Sequence, residues 1–271
     1  MVISVAGLKI NINLIYEKEF KPLKNYQIDS SFDYFINSSF NEFKEELNEP
    51  FIKTKFFDKY KIGNRIIQKQ KKDDKYFATI EYLSNGVNIY NDKDNKFIDE
   101  YLLSQYAINY LVCNYTNSIL FHSSTIYYNN IGIAFSAKSG TGKSTQRRLW
   151  EKYSDAKVIN DDKNFITLVD DKLYISPNPW CGKHFKENNI NSTLNTIIFL
   201  YQNKDNVVEE ISKAKAFKLL LGQILQPDDN NIDKWNNIVD KLLELPIYYY
   251  GCNMEEDAFK VLNERIIKDV K

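Results

Sequence analysis

The chain has 271 residues, 43% hydrophobic and 27% charged, which is long enough for one large domain or two ordinary ones with a substantial core. That composition excludes collagen-like, disordered and small disulfide-rich classes. Its 36 basic residues balance 36 acidic ones, so no whole-molecule field draws in nucleic acid, and an anion must be held by a local device.

Residues 1–97 read as a smaller β-rich N-terminal domain with one or two polar helices, one of them over 40–47. The opening residues 1–10 alternate like a strand and lack the basic head and long apolar run of a signal peptide. The charged run 69–75 reads as a solvated loop, with a docking patch as the alternative. A hairpin follows over 76–90, where Asn85-Gly86 supplies the positive φ of a tight turn.

From Phe97 to Tyr115, apolar residues at helical spacing predict an amphipathic helix leading into a second domain, 98–271. There the segments 119–128, 131–136, 156–160, 165–169 and 196–201 read as strands, and 144–153, 212–225 and 231–243 as helices. Strands mixed with helices predict an α/β (α+β) sheet domain. Cys113, Cys181 and Cys252 are too scattered for a disulfide framework or a paired-cysteine zinc site, which fits a reducing cytoplasm. No apolar run is long enough to span a membrane.

The densest signal is Ser139-Gly140-Thr141-Gly142-Lys143-Ser144-Thr145, between the apolar strand 131–136 and a helix. This is a phosphate loop in its required context. Its glycines let backbone N–H groups surround phosphate oxygens, and the helix start points its positive end at the same place. Lys143 would lie along the β- and γ-phosphates of ATP, with the Ser144 hydroxyl on Mg²⁺. Ala137 stands where the commonest form of the motif has Gly. Arg147 and Arg148, within a turn of Ser144, are read either as contacts to a second phosphate or as an ordinary surface pair.

Asp161 and Asp162 follow Asn160 at the end of the strand 156–160. One helix plus one strand separates them from Lys143, which brings them to the sheet edge where the phosphate loop emerges. Neighbouring strand residues point to opposite faces, so both carboxylates reach one site only if the strand ends and turns there; the alternative is a plain Asx turn. One carboxylate would hold the metal and the other orient or deprotonate an attacking hydroxyl. His122 reads as a partner of an aspartate or of the γ-phosphate, or as a structural histidine. In the loop 177–184, Lys183 and His184 read as phosphate contacts, or the loop as a rigid connection anchored by Trp180.

His122-Ser123-Ser124, the loop 139–145 and Val158-Ile159-Asn160-Asp161-Asp162, in that order, resemble HPr kinase/phosphorylase and its relative, ATP-dependent phosphoenolpyruvate carboxykinase. Stand-alone bacterial HPr-kinase-like serine kinases are the nearest likeness. The resemblance implies a mixed-sheet kinase domain with Asp161 as base toward a serine hydroxyl and Asp162 as a metal or water ligand. It also implies Lys143 and Ser144 on phosphate and Mg²⁺, and His122 in the active site. The second glycine-rich signature of HPr kinases is not matched, which separates the acceptor from HPr. The expected activity is ATP- and Mg²⁺-dependent phosphotransfer to a hydroxyl of a peptide, small protein or small molecule. A nucleotide-binding sensor or scaffold and a partner-coupled ATPase are the alternatives. Neither nucleic acid nor membrane is an expected partner, and relatives of this kind often form homo-oligomers.

Overall fold

A computed structural model describes residues 1–180, 189–226 and 231–269. The chain divides into two compact units, 1–115 and 116–271.

The first unit is one eight-stranded mixed sheet and a helix. Strands β1 (Val2–Val5), β2 (Leu8–Asn13), β3 (Tyr34–Ser39), β4 (Ile52–Lys53), β5 (Phe57–Ile62), β6 (Arg65–Lys72), β7 (Lys75–Leu83) and β8 (Gly86–Asn91) lie in the order β1-β2-β3-β8-β7-β6-β5-β4. Helix α1 (Phe97–Tyr115) packs on this sheet through ring contacts such as Tyr110 with Tyr82. The helix therefore belongs to the first unit, and the division falls after Tyr115 instead of at residue 97.

Three further expectations for this unit are corrected. The opening strand is a hairpin, because Ala6 and Gly7 both take positive φ and fold β2 back on β1. No helix forms over 40–47: Phe43 lies edge-on to the Tyr90 ring and Glu45 pairs with Arg65, tying this irregular stretch to the sheet. The charged run 69–75 is the end of β6, a turn at Asp73-Asp74 and the start of β7. The 76–90 hairpin is present as β7 and β8 in antiparallel register, but its turn is Ser84-Asn85 and neither Asn85 nor Gly86 takes a positive φ; a Cβ on Gly86 would stand 2.6 Å from the Phe35 ring, so close approach selects glycine there.

The second unit is a nine-stranded mixed sheet. Its elements are β9 (Ser118–His122), β10 (Ser124–Tyr128), β11 (Ile131–Ser136), α2 (Lys143–Tyr153), β12 (Lys157–Asn160), β13 (Lys163–Val169) and β14 (Lys172–Pro177). After them come β15 (Ser192–Gln202), β16 (Val207–Glu210), α3 (Lys213–Leu221), α4 (Ile232–Leu242), β17 (Ile247–Cys252) and α5 (Glu256–Asp269). The main path runs β12-β10-β11-β15-β14-β13-β9, with β17 beside β15 and β16 beside β17. Residues of α2 and α5 bury Leu149, Trp150, Phe259 and Leu262 with one set of strand residues. Residues of α3 and α4 bury Leu220, Trp235 and Ile238 with another. Burial of these apolar faces is the main stabilising term.

The 119–128 strand is broken at Ser123 into β9 and β10, which join different partners. The 212–225 helix ends at Leu221, because residues 223–225 pair with the free edge of β9: His122 N–H donates to Gln223 O at 2.8 Å and Leu225 N–H to Leu120 O at 2.9 Å. Strand β14 and the elements from β17 onward carried no expectation from sequence.

Candidate active site

Strand β11 runs in the sheet interior, ends at Ser136 and hands the chain to the glycine loop, after which α2 begins at Lys143. Gly140 has φ 79° and Gly142 φ 125°, in the left-handed region that favours glycine. Nothing lies within 4 Å of where a Cβ would stand at either position, so conformation and not crowding selects glycine there. Gly142 caps the helix, its carbonyl accepting from Thr145 N–H at 3.0 Å and Gln146 N–H at 2.9 Å. Ser139 is exposed, and Thr141, Ser144 and Thr145 are half-buried around the helix start.

Lys143 is buried, and its Nζ donates to Ala137 O at 2.9 Å across the loop. Burial pulls its ammonium below the ordinary lysine range, and the carboxylates of Asp162 and Asp161 oppose that pull. Lys143 therefore sits within electrostatic reach of both aspartates.

The aspartates stand in a gap between two strands. A bulge in the β10–β12 register falls between Thr125 and Ile126, β12 ends at Asn160, and β13 begins at Lys163. The opposite arm breaks at the same level: Ser123 N–H donates to Asp162 O at 2.9 Å, and Ser124 Oγ donates to Asp161 Oδ1 at 2.8 Å. The strand thus ends and turns, which frees the two carboxylates from strict alternation.

They go to different partners. Asp161, buried, faces α2: Arg147 Nε donates to its Oδ1 at 3.1 Å and Nη2 to its Oδ2 at 3.4 Å. Arg147 is 2% exposed and also pairs with Glu151 one turn further along the helix. Asp162 is half-exposed and meets His122 Nε2 through Oδ1 at 3.3 Å. That hydrogen bond holds its carboxyl below the usual carboxylate range against the effect of burial, helped by the charges of Lys163, His122 and Lys143.

Two expectations change with this geometry. Arg147 is no surface cation awaiting a phosphate, since its guanidinium is taken up inside the protein by Asp161 and Glu151. Asp161 is no free base, because both of its oxygens are engaged by Arg147. Arg148 is exposed and donates to Thr145 Oγ1 at 3.3 Å, beside the loop. Trp180 is buried at the near end of its loop, whereas Cys181, Lys183 and His184 lie outside the described residues. Among the described residues, Cys113 and Cys252 are not joined in a disulfide.

A buried polar shell supports the gap. Asn164 Nδ2 donates to Ser123 O at 2.7 Å and to Ser123 Oγ at 3.1 Å, while its Oδ1 accepts from Thr125 Oγ1 at 2.8 Å. Asn160 Nδ2 reaches Lys163 O at 2.6 Å and Asn178 O at 3.3 Å, and its Oδ1 accepts from Asp161 N–H at 2.7 Å. Sequence reasoning gave no role to Asn164, Thr125 or Glu151. The available signal was polar residues, Thr125 and Asn164, inside otherwise apolar strand segments.

Among the described residues no group of three or more His, Cys, Asp or Glu side chains could hold a metal by itself. Magnesium in nucleotide sites needs less, since phosphates and water complete its octahedron around one or two protein oxygens. The half-buried Ser144 hydroxyl at the helix start and the half-exposed Asp162 carboxylate are donors of that kind.

No family model matches the chain, and no curated protein matches it. Among solved structures, the HPr(Ser) kinase/phosphatase from Coxiella burnetii is similar over 55% of this chain and 98% of its own length, at 12% identity and a TM-score of 0.33. No helix among the described residues is long and apolar enough to cross a membrane.

Proposed function

We propose that the chain is an ATP- and Mg²⁺-dependent phosphotransferase of the HPr-kinase-like kind, acting on a serine-type hydroxyl of a peptide, small protein or small molecule. The observation that carries this reading is a glycine-capped helix that opens on the buried Lys143 and holds Asp161 through Arg147 at the broken strand, with Lys143 within electrostatic reach of both carboxylates. The backbone N–H groups of residues 139–145 would hold the ATP phosphates, and Lys143 would exchange its contact with Ala137 O for the β- and γ-phosphates. Ser144, with phosphate oxygens and water, would hold Mg²⁺, which when bound neutralises charge on the transferred group.

The chain's own residues divide the remaining work. Arg147 fixes Asp161 and so sets the bend that presents Asp162. His122 Nε2 orients Asp162 through Oδ1, and Asp162 Oδ2 takes the proton of the acceptor hydroxyl. In this reading the base expected at Asp161 moves to Asp162, which acts at the acceptor instead of on the ion. The phosphoryl group passes from the leaving oxygen of ADP to the acceptor oxygen, and the proton passes to Asp162.

The test is transfer of isotope-labelled γ-phosphate to serine-bearing peptides and to small proteins of a lysate. A labelled acceptor is expected with the native chain and none with Asp162→Asn, while that variant keeps ATP·Mg²⁺ binding. Loss of Mg²⁺-dependent ATP affinity in Asp162→Asn would return this residue to the ion. Saturable ATP binding with no labelled acceptor in any mixture identifies a sensor, and release of free phosphate only identifies a partner-coupled ATPase.

A further inference from the structure

Strands β11, β15 and β17 lie side by side and parallel, so the chain leaves all three at one end of the sheet. Residues 137–142 follow β11 there, 203–206 follow β15 and 253–255 follow β17. The three strands do not end level. Ser136, the last residue of β11, stands opposite Phe199, which stands opposite Tyr249, whereas β15 and β17 continue over 200–202 and 250–252. The longer pair raises a wall beside the glycine loop, at the end of parallel strands where ligands bind.

Polar contacts clamp the top of this wall to α2. Gln146, 1% exposed in the first turn of the helix, donates from Nε2 to Asn253 O at 3.1 Å. Asn253 N–H donates to Asn206 Oδ1 at 3.1 Å and its Nδ2 to Lys204 O at 3.0 Å, while its Oδ1 accepts from Glu255 N–H at 3.0 Å. Asn203 N–H donates to Cys252 O at 3.1 Å, joining the two loops a second time. Met254 follows the clamp directly. It is 72% exposed, the most exposed large apolar side chain among the described residues, and the only methionine besides Met1.

The two flanks of α2 set the direction in which a nucleotide lies. Arg147 ties one flank to Asp161, and Gln146 ties the other to Asn253. With the terminal phosphate directed to the aspartates, the nucleoside leaves toward the wall. The chemistry there suits an uncharged ring and not further phosphate. Lys204 is outnumbered by Asp205 and Glu255, all three exposed, so the loops supply no net positive charge. They supply instead a thioether on a fixed mount and the exposed amides of Gln202 and Asn203. A thioether packs favourably against an aromatic ring, and amides can meet the polar edge of a base.

We propose that Met254 is the platform for the purine ring of the phosphate donor, with Gln202 and Asn203 at the polar edge of that ring. The proposal rests on the nucleotide-binding reading of the loop 139–145 and adds the part of the donor that the loop does not hold.

The test titrates the full chain, isotope-labelled at its methionine methyl groups, with ATP·Mg²⁺ and separately with tripolyphosphate·Mg²⁺, which carries the phosphates without the nucleoside. ATP should move the Met254 methyl resonance upfield in the ring current of the base, and tripolyphosphate should not; Met254→Leu assigns the resonance by its absence. By calorimetry ATP should bind about tenfold more tightly than tripolyphosphate. Met254→Ser should weaken ATP about fivefold, leave tripolyphosphate unchanged and keep the native thermal midpoint, while Met254→Leu, which keeps an apolar cover, should lose less. Equal affinity for the two ligands, no ring-current shift, or an equal effect of Met254→Ser on both overturns the base site and leaves the phosphate loop in place. Binding of neither ligand overturns the nucleotide reading and this proposal with it.

Discussion

Each unit buries a carboxylate, and each gives it a cation, yet the two settings differ. Asp58 is the second residue of β5, opposite Lys69, and its partners Lys71 and Tyr76 face each other across β6 and β7 just past a bulge at Gln70 and Lys71. Asp161 sits where the ladder stops, and its cation comes from a helix that opens on a glycine loop. In the first case the strands run on past the carboxylate, which is 1% exposed. In the second, the interruption that admits Arg147 also leaves Asp162 and His122 half-exposed beside Lys143. A buried charge between strands that continue holds the fold together; a buried charge where a strand ends can hold a reactive neighbour in place.

Arg147→Met should break this contrast most strongly. It leaves the buried Asp161 carboxylate with the Ser124 hydroxyl and no cation, and removing one partner of a buried pair costs about 3–5 kcal/mol. The double variant Arg147→Met with Asp161→Leu should recover much of that loss, because the buried ion pair is then replaced as a whole by apolar side chains. Lys71→Met should cost less, since Asp58 keeps the Tyr76 hydroxyl and the nearby charge of Lys53. Denaturant midpoints of the four proteins decide the order. Equal losses at Arg147 and Lys71 would remove the distinction.

Next in size is Lys143→Met. Its folded pKa is depressed by burial, so the charged form is disfavoured in the folded state at neutral pH, and this cost fades only as pH rises toward the lysine range. The variant without ligand should therefore melt no lower than the native chain at pH 7. At about 100 times its Kd, ATP·Mg²⁺ should add ~2.7 kcal/mol to the native chain, and the variant should lose that gain. Retention of the ligand-induced shift would remove Lys143 from the nucleotide site.

The sequence carried these sites unequally. The loop 139–145 with its flanking strand and helix was legible because it rests on local conformation, a positive φ at Gly140 and Gly142 and a helix start. The break at Asp161-Asp162 was legible as a condition, namely that both carboxylates need the strand to end. The inward turn of Arg147 was not. Lys143, Gln146, Arg147 and Trp150 recur at helical spacing on the buried side of α2, but three of the four are polar, so hydrophobic periodicity hides the face. Only the tertiary position of Asp161 makes that burial favourable. The irregular 40–47 stretch escaped for the same reason, since Arg65 and Tyr90, which hold it, come from β6 and β8.

The smallest predicted effect sharpens the comparison from the other side. Asp162 has a lowered pKa because His122 hydrogen-bonds its charged form, so the pair contributes stability above the unfolded carboxylate pKa and loses it as pH falls through the folded value. The expected signature is a steeper acid limb below about pH 4 in the native chain than in Asp162→Asn. Its size is limited, because side chains 31% and 35% exposed are screened by water, and such pairs are worth less than ~1 kcal/mol. At pH 7 the variant should therefore unfold within about 1 kcal/mol of the native chain. Arg147→Met under the same conditions should fall several times further. An Asp162→Asn variant as unstable as Arg147→Met would make the exposed pair a structural one and leave the acceptor without its base.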